Sequence, residues 1–363
     1  MARPSWEPRR TRTTTCATSA SRRRAGSPDR RGGKAGPGRG GRGNDMTRLV
    51  ATRAVLGLLT LLAVSALIFF CTQILPGDVA SAVLGQQATP EALKAFRAEL
   101  GLDKPAYLRY LAWLWGVLHG NLGHSLTNGR DILADLAPRF ENTIFLAVYS
   151  AVIAVPIAVG LGILSAIREG RPVDRIANVA TVFAISVPEF FVGYLLIIAF
   201  AIKNPWFPSL ATVYPGMGFG ERLYVATLPA VTLTMVVTAH MLRMTRNSVL
   251  SIMSTPYVEM AFLKGLARSR VVVRHALPNA AGPIVSVVAL NLAYLVVGVV
   301  VVENVFVYPG VGQYMVDAVA KRDVPVVQAC GLVFAAVFVT LNTIADIVAI
   351  MANPRLRRRT VPA

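Results

Sequence analysis

The chain is predicted to be an all-α polytopic membrane protein with six spanning helices and both termini in the cytoplasm. Three observations predict that class. First, 54% of its 363 residues are hydrophobic and the mean hydropathy is +0.53, too apolar for a soluble globule. Second, six apolar runs approach the ~20 residues that a hydrocarbon core demands. They fall at residues 50–72, 143–167, 176–202, 225–242, 283–302 and 326–350, continuous rather than alternating at period two, which excludes a barrel. The run at 225–242, interrupted by Pro229 and a cluster of Thr, is the weakest. Third, basic residues gather in alternate connections, as they do when those connections stay in the cytoplasm.

That third observation sets the topology. The loop "REGRPVDR" holds three Arg, the stretch 243–275 holds six Lys or Arg against Glu259 alone, and "NPRLRRRT" holds four Arg. Residues 72–142 carry six bases against seven acids, and the loops 203–224 and 304–325 carry two bases each. The first set belongs inside and the second outside.

Half of the net charge of +18 sits in residues 1–45, which hold eleven Arg and one Lys against three acids. This Arg- and Gly-rich tail has no apolar period and is expected to be disordered. Met46 then opens "MTRLVATRAVLGLLTLLAVSALIFF", so a misassigned translation start is the expected origin of the tail. A polybasic segment held against anionic headgroups is the functional alternative. An RNA-binding arm is weaker, because Trp6 is the tail's one aromatic and no folded module accompanies it. The first span, 46–72 with its leader, lacks a small-residue cleavage site and is read as retained.

Residues 73–142 form the one sizeable segment outside the membrane on the far face. Thr89 and Pro90 suit an N-cap and first helical position, with Leu93, Phe96 and Leu100 at helical spacing and Gly101 to close. A second, aromatic helix is expected from Pro105. Together they predict a small helical cap that includes Trp113 and Trp115, and no repeat of 20–50 residues accompanies them. Residues 143–356 would then form a five-helix core, with a cytoplasmic loop at 243–280 and a basic tail at 357–363.

No catalytic signature is present: no G-x-S-x-G, P-loop, H-E-x-x-H or CxxC pair. His119, His124, His240 and His275 are divided between the two sides of the membrane. Cys16, Cys71 and Cys330 lack metal-ligand spacing, although Cys71 and Cys330 both fall near the outer face, which leaves their pairing open. No cofactor or nucleotide site is expected, and no nucleic-acid partner. A membrane-embedded hydrolase would need paired groups at one depth, and the acids Glu189 and Asp346 lie at different ones.

The loop carries the most informative stretch, "STPYVEMAFLKGLARSRVVVRHALPNA". Thr255 fits an N-cap, Pro256 the first helical position, and Gly265 a left-handed closing residue. Ala261 and Gly265 share one face and permit close backbone approach. A second helix is expected over "LARSRVVVRHAL", stopping at Pro278. An interfacial amphipathic pair with snorkelling basic residues would explain the same pattern.

The spacing of Glu259, Ala261, Gly265, Leu277 and Pro278 resembles the cytoplasmic EAA loop of ABC-importer permeases, with Met260 for the usual second Ala and His275 for an apolar residue. "LPGDVA", "LGLDKPAYLRYLAWLWGVLHGNLGHSL", "ISVPEFFVGYLLI", "ENVFVYPGVG", "RDVP" and "LNTIADIVAIMANPRLR" resemble the dipeptide, oligopeptide and nickel importer permeases in order over residues 47–356. Asn353 stands where that family usually has Asp. The resemblance implies a type I importer architecture in a bacterial cytoplasmic membrane. It implies a second homologous permease, two cytoplasmic ABC ATPases and an extracytoplasmic solute-binding protein as partners, besides membrane lipid. It implies alternating access, with ATPase closure entering this chain at Glu259–Gly265. Di- or oligopeptides are the expected substrate, with nickel chelates, glutathione, haem or small glycosides as alternatives, because specificity largely resides in the binding protein.

Polar residues inside the spans complete the candidate set. Glu189, with its neighbours Ser186 and Pro188, is expected on the translocation path, since a lipid-facing carboxylate is costly. Asn291 is grouped with them, although an interhelical hydrogen bond suits it better than ligand contact. Asp346 is expected to pair locally near the basic end. Removal of residues 1–45 should leave transport intact when expression starts at Met46; loss of assembly in that protein would show the tail to be required.

Overall fold

The computed structural model describes residues 41–74, 89–91, 94 and 104–352. Among the described residues the regular structure is helical. Its elements are α1 (Gly41–Ile74), α2 (Ala106–Leu118), α3 (Ile132–Ile167), α4 (Pro172–Ser186) and α5 (Glu189–Ile197), the last extended by a wide π turn (Ile198–Lys203). Then come α6 (Phe219–Met253), α7 (Pro256–Leu263), α8 (Arg268–Val271), a second π turn (Val272–Ala276), α9 (Leu277–Val305), α10 (Val311–Ala320) and α11 (Val324–Ala352).

Five stretches are long and apolar enough to cross a bilayer: Val50–Thr72, Ile132–Ile167, Phe219–Met253, Arg268–Val305 and Val324–Ala349. The third expected span is not one helix. It is the pair α4 and α5, bent by 97°. The cause is Pro188, which forces Val187 into extended backbone at ψ 128° and ends α4 one residue earlier. Hydropathy is blind to such a bend because both arms are apolar.

The weakest apolar run turns out to be the centre of the bundle. α6 runs unbroken through Pro229 and is the most buried of the spans, packing along α3 and beside α9. Three of its Thr residues find backbone acceptors: Thr227 donates to Leu223 O at 2.8 Å, Thr232 to Leu228 O at 2.9 Å and Thr234 to Ser150 O at 3.4 Å. At Gly162, α3 lies so close to α6 that an added Cβ would sit 2.8 Å from the Thr245 Cβ. Small residues at that crossing set the helix separation.

α1 and α11 lie antiparallel. Gln328 Nε2 donates to Thr72 Oγ1 at 2.7 Å at one end, and Arg53 pairs with Asp346 at 2.9 Å at the other. The expected local pairing of Asp346 is thus met by Arg53. Both side chains are about half exposed, so the pair marks proximity more than stability. Cys71 is exposed and Cys330 buried, and both are free thiols.

The first outer-loop helix expected over 89–101 lies outside the described residues except for 89–91 and 94. The second begins after Pro105 as expected and leans on α1 through Tyr110, whose hydroxyl is 2.9 Å from Ser65 Oγ, and through a Phe69–Trp113 ring contact at 5.9 Å. Trp115 is turned outward, 67% exposed. The chain then returns over Asp323, whose buried carboxylate accepts from Ser125 Oγ at 2.5 Å, Thr127 Oγ1 at 2.9 Å and the Leu126 and Thr127 N–H groups.

Two further buried carboxylates hold opposite ends of the bundle. At one end Glu303, fully buried near the end of α9, accepts from Thr143 Oγ1 at 2.6 Å and from Gly312 N–H at 2.7 Å. Those bonds fasten α9 to α3 and to the first turn of α10. At the other end Asp174 accepts a paired bond from Arg246, Nε at 2.7 Å and Nη2 at 2.9 Å, together with Ser165 Oγ and Gly170 N–H. This joins α3, α4 and α6.

Gly310 shows how tightly the Glu303 end is fitted: a Cβ there would lie 2.0 Å from Glu303 Oε1. Gly310→Ala must therefore displace the carboxylate from its donors, at a cost of about 1–3 kcal/mol. The variant should lose its monodisperse peak at a lower temperature in size-exclusion chromatography of heated, detergent-solubilised protein. Gly160→Ala, with open space around it, should melt like the parent.

Candidate functional site: a helix pair and a cavity

The segment 255–280 is built by local rules. Thr255 occupies the N-cap position with extended backbone, yet its hydroxyl donates to Ile252 O at 2.5 Å instead of accepting from the new helix. Pro256 starts α7 at its first position. The helix closes through Gly265, at φ +78°, with Gly265 N–H on Phe262 O at 2.8 Å and Leu266 N–H on Ala261 O at 3.4 Å. That is a Schellman closure, and Leu266 folds back onto the Val258–Ala261 side of the helix.

The two faces of α7 differ from the expected arrangement in one respect. Ala261 does not share an open face with Gly265; it is buried with Val258 against Val271 of α8. A small side chain at 261 therefore lets α8 approach α7, and the close approach is internal. The outward side carries Tyr257, Met260 and Leu263 at 42, 54 and 75% exposure, with Glu259 also exposed. That apolar row at three-residue spacing is what α7 presents to the outside.

The second helix does not stop at Pro278. α8 continues through the π turn Val272–Ala276 into α9, one helical stretch from Arg268 to Val305. The widened turn supplies the reason. Proline lacks an N–H and its ring crowds the carbonyl four residues back, and a π turn shifts that carbonyl out of register. Leu277 packs with Val272 and Ile284 beneath the turn, while Pro278 is exposed. The connection from α7 to the membrane interior is therefore a continuous rod. Arg268 anchors its start by pairing with Glu169 of the α3–α4 loop.

Between α5, α6 and α9 lies a partly open cavity of about 550 Å³, with His240, Leu290, Tyr294 and Val297 exposed along it. Two of the four expected path residues, Glu189 and Asn291, line it. Ser186 and Pro188 do not. They sit at the bend, exposed, with Ser186 Oγ donating to Val182 O at 2.8 Å. Glu189 opens α5 just past the bend and rests against Gly298, where a Cβ would stand 3.3 Å from its Oε1. Asn291 bonds with its amide nitrogen to Val287 O at 2.8 Å and to the Met244 sulfur on α6 at 3.7 Å, the interhelical role expected of it.

His240, Met244 and Tyr294 complete the polar and polarisable part of the lining. The sequence reading missed all three. Their spacing held a signal, since 291, 294 and 298 share one face of α9 and 240 and 244 share one face of α6.

A helix pair outside a bundle and a cavity within it suit a transport protein, and the comparisons decide which. Residues 158–358 match the family described as "Binding-protein-dependent transport system inner membrane component", and residues 46–147 match its N-terminal companion, "Binding-prot-dependent transport system membrane comp, N-term". The chain belongs to this family. Among its relatives, a probable peptide ABC transporter permease protein, y4tP of Sinorhizobium fredii (strain NBRC 101917 / NGR234), is 35% identical over 86% of this chain and 98% of its own length. The glutathione transport system permease protein GsiC of Escherichia coli (strain K12) is 35% identical over 84% of this chain and 97% of its own. GsiC of Salmonella choleraesuis (strain SC-B67) is 34% identical over the same shares.

The protein is thus an ABC-importer permease, a multi-pass component of the bacterial plasma membrane that moves substrate and is not itself an enzyme. Membership implies ATPase and binding-protein components as its partners. In this permease Gly265 is the residue on which the helix pair turns. Gly265→Leu should insert normally but lose most uptake in the assembled transporter, because left-handed backbone costs a branched side chain about 1–2 kcal/mol. Gly265→Asn, which tolerates that conformation, should retain uptake; equal loss in both variants would point to side-chain obstruction instead.

Proposed function

We propose that the permease imports di- or oligopeptides by alternating access, with its ATPases docked on α7 and its pathway passing the Glu189–Asn291 cavity. The observation that carries this reading is the continuous rod from α8 to α9. A displacement of α7 must move α9, and α9 contributes Asn291, Tyr294 and Gly298 to the cavity wall. Force applied at α7 then has to pass the turn at Gly265 and the Ala261–Val271 contact, beyond which the rod carries it inward.

Orientation follows from charge. The segment 243–275 faces the cytoplasm under the positive-inside rule, and the Arg53–Asp346 contact supports putting the start of α1 and the end of α11 on one side. α7 then faces cytoplasmic ATPases, and the loop fixed by Asp323 faces the binding protein. The assembly proposed is a second homologous permease, two ATPases and one extracytoplasmic solute-binding protein. The domain limits read from the sequence fit this plan: an outer loop at 73–142, a core at 143–356 and a coupling loop at 243–280.

Peptide is favoured as substrate by the likeness to the probable peptide permease of S. fredii. The likeness to GsiC favours a second reading, glutathione, which is itself a small peptide. The test is uptake by the four-component transporter in proteoliposomes, with radiolabelled dipeptide, tetrapeptide and glutathione offered separately. ATP-dependent accumulation of dipeptide or tetrapeptide is the expected result, and accumulation of glutathione alone would shift the assignment. Leu263→Asp should abolish co-purification of the ATPases while the permease accumulates normally, since it places a charge in the exposed row of α7.

A further inference from the structure

The carboxylates of this permease fall into two kinds. Asp174, Glu303 and Asp323 are buried and each accepts from several named donors. Glu189 has no hydrogen bond or ion pair from any described residue, although it is half-buried on the cavity wall. Burying an acceptor without a donor is unfavourable, so a carboxylate left this way is open to a donor from outside the chain.

Its surroundings define that donor. The Asn291 amide nitrogen is spent on Val287 O and the Met244 sulfur, so the group it has left for the cavity is its carbonyl oxygen, a second acceptor. None of the described residues lining the cavity is a Lys or Arg. Gly298 leaves the Glu189 carboxylate room on the α9 side, where a side chain would press on it. The remaining wall is mostly aliphatic, with Tyr294 as an aromatic face. Two acceptors, one of them acidic, set beside His240, Tyr294 and a largely aliphatic wall in a cavity of small-molecule size match a compact cation that carries several N–H donors.

We propose that Glu189 and Asn291 form a cation-recognition site that takes the protonated α-amine of the substrate during passage. An α-ammonium group offers three N–H donors and one positive charge, which the two acceptors complement. The site would pass peptides with a free amino terminus and hold back those whose amine is capped. As regards substrate this rests on the peptide reading above, whereas the charge preference of the cavity does not depend on it.

The experiment has two arms, both on the assembled transporter. In the first, Val297→Cys on the cavity wall is labelled with a cationic and an anionic methanethiosulfonate of equal size, read as the increment over the parent. The cationic reagent should react about tenfold faster, as a close charge in a half-buried site requires, and Glu189→Gln should erase the preference. In the second, uptake of a dipeptide is compared with that of its N-acetylated form. Glu189→Gln should lower uptake of the free-amine peptide at least several-fold relative to uptake of the acetylated one. Glu189→Asp should restore part of the loss.

A labelling preference that survives Glu189→Gln, or equal loss of both peptides, overturns the site and leaves peptide import standing. A Glu189-dependent labelling preference in a transporter that imports neither peptide overturns the peptide reading and keeps the cation site.

Discussion

A carboxylate removed from water must be met by donors, and the architecture of this permease follows from where that demand is satisfied. Glu303 is the clearest case. It is fully buried, and its two oxygens are met by a hydroxyl from α3 and by N–H groups at the start of α10. Those donors come from two separate parts of the chain, so a single side chain on α9 fixes the placement of both. The constraint spreads outward. Gly310 and Gly312 have to lack side chains because Glu303 and Val300 occupy that space. Val307 is driven to φ +52°, an uncommon value for a β-branched residue, to turn the chain from α9 back across the bundle. Tyr308 N–H on Glu303 O and Ala211 N–H on Phe306 O then hold the corner.

The opposite end uses the same device with a charged donor. Asp174 receives both forks of Arg246, a geometry that a lysine cannot reproduce. With α3, α4 and α6 joined at one end and α3, α9 and α10 at the other, α3 is clamped at both. α9 is also held at both ends, by Glu303 near one and, through the π turn and α8, by Arg268 on Glu169 near the other. α7 joins that rod through the turn at Gly265, and its contacts with the rest of the chain are few and local.

The sequence carried much of this, and the misses have physical causes. Gly265, Pro256 and the position of Thr255 were legible because helix ends are set by near neighbours: φ +78° at Gly265 is a local requirement. The same is true of the start after Pro105. Pro278 misled because its effect depends on what precedes it; a regular turn would have ended the helix, and the π turn absorbs the clash instead. Pro188 was noticed as a neighbour of Glu189 but not as a bend, since apolarity measures depth and not direction. α6 looked weak for a related reason. A span surrounded by other helices needs less apolar surface than one facing lipid, so its Thr residues report a central position rather than a marginal one. Asp174 finds its partner 72 residues away, at Arg246, beyond the reach of any local pattern.

Ala261 teaches a different point. Its spacing from Gly265 was read as a shared contact face, and the spacing is real, but the helix closes before Gly265, whose left-handed backbone no longer follows the helical wheel. The small residue at 261 and the glycine at 265 therefore answer two separate demands. One lets α8 approach α7, and the other lets the chain reverse to reach it. Both serve the internal joint, and that leaves Tyr257, Met260 and Leu263 as the outward face. A motif can thus be right in position while its small residues shape the helix pair and its larger apolar ones face outward. On that division, Met260 does not interrupt the α7–α8 contact: it stands in the exposed row, away from the face that α8 approaches.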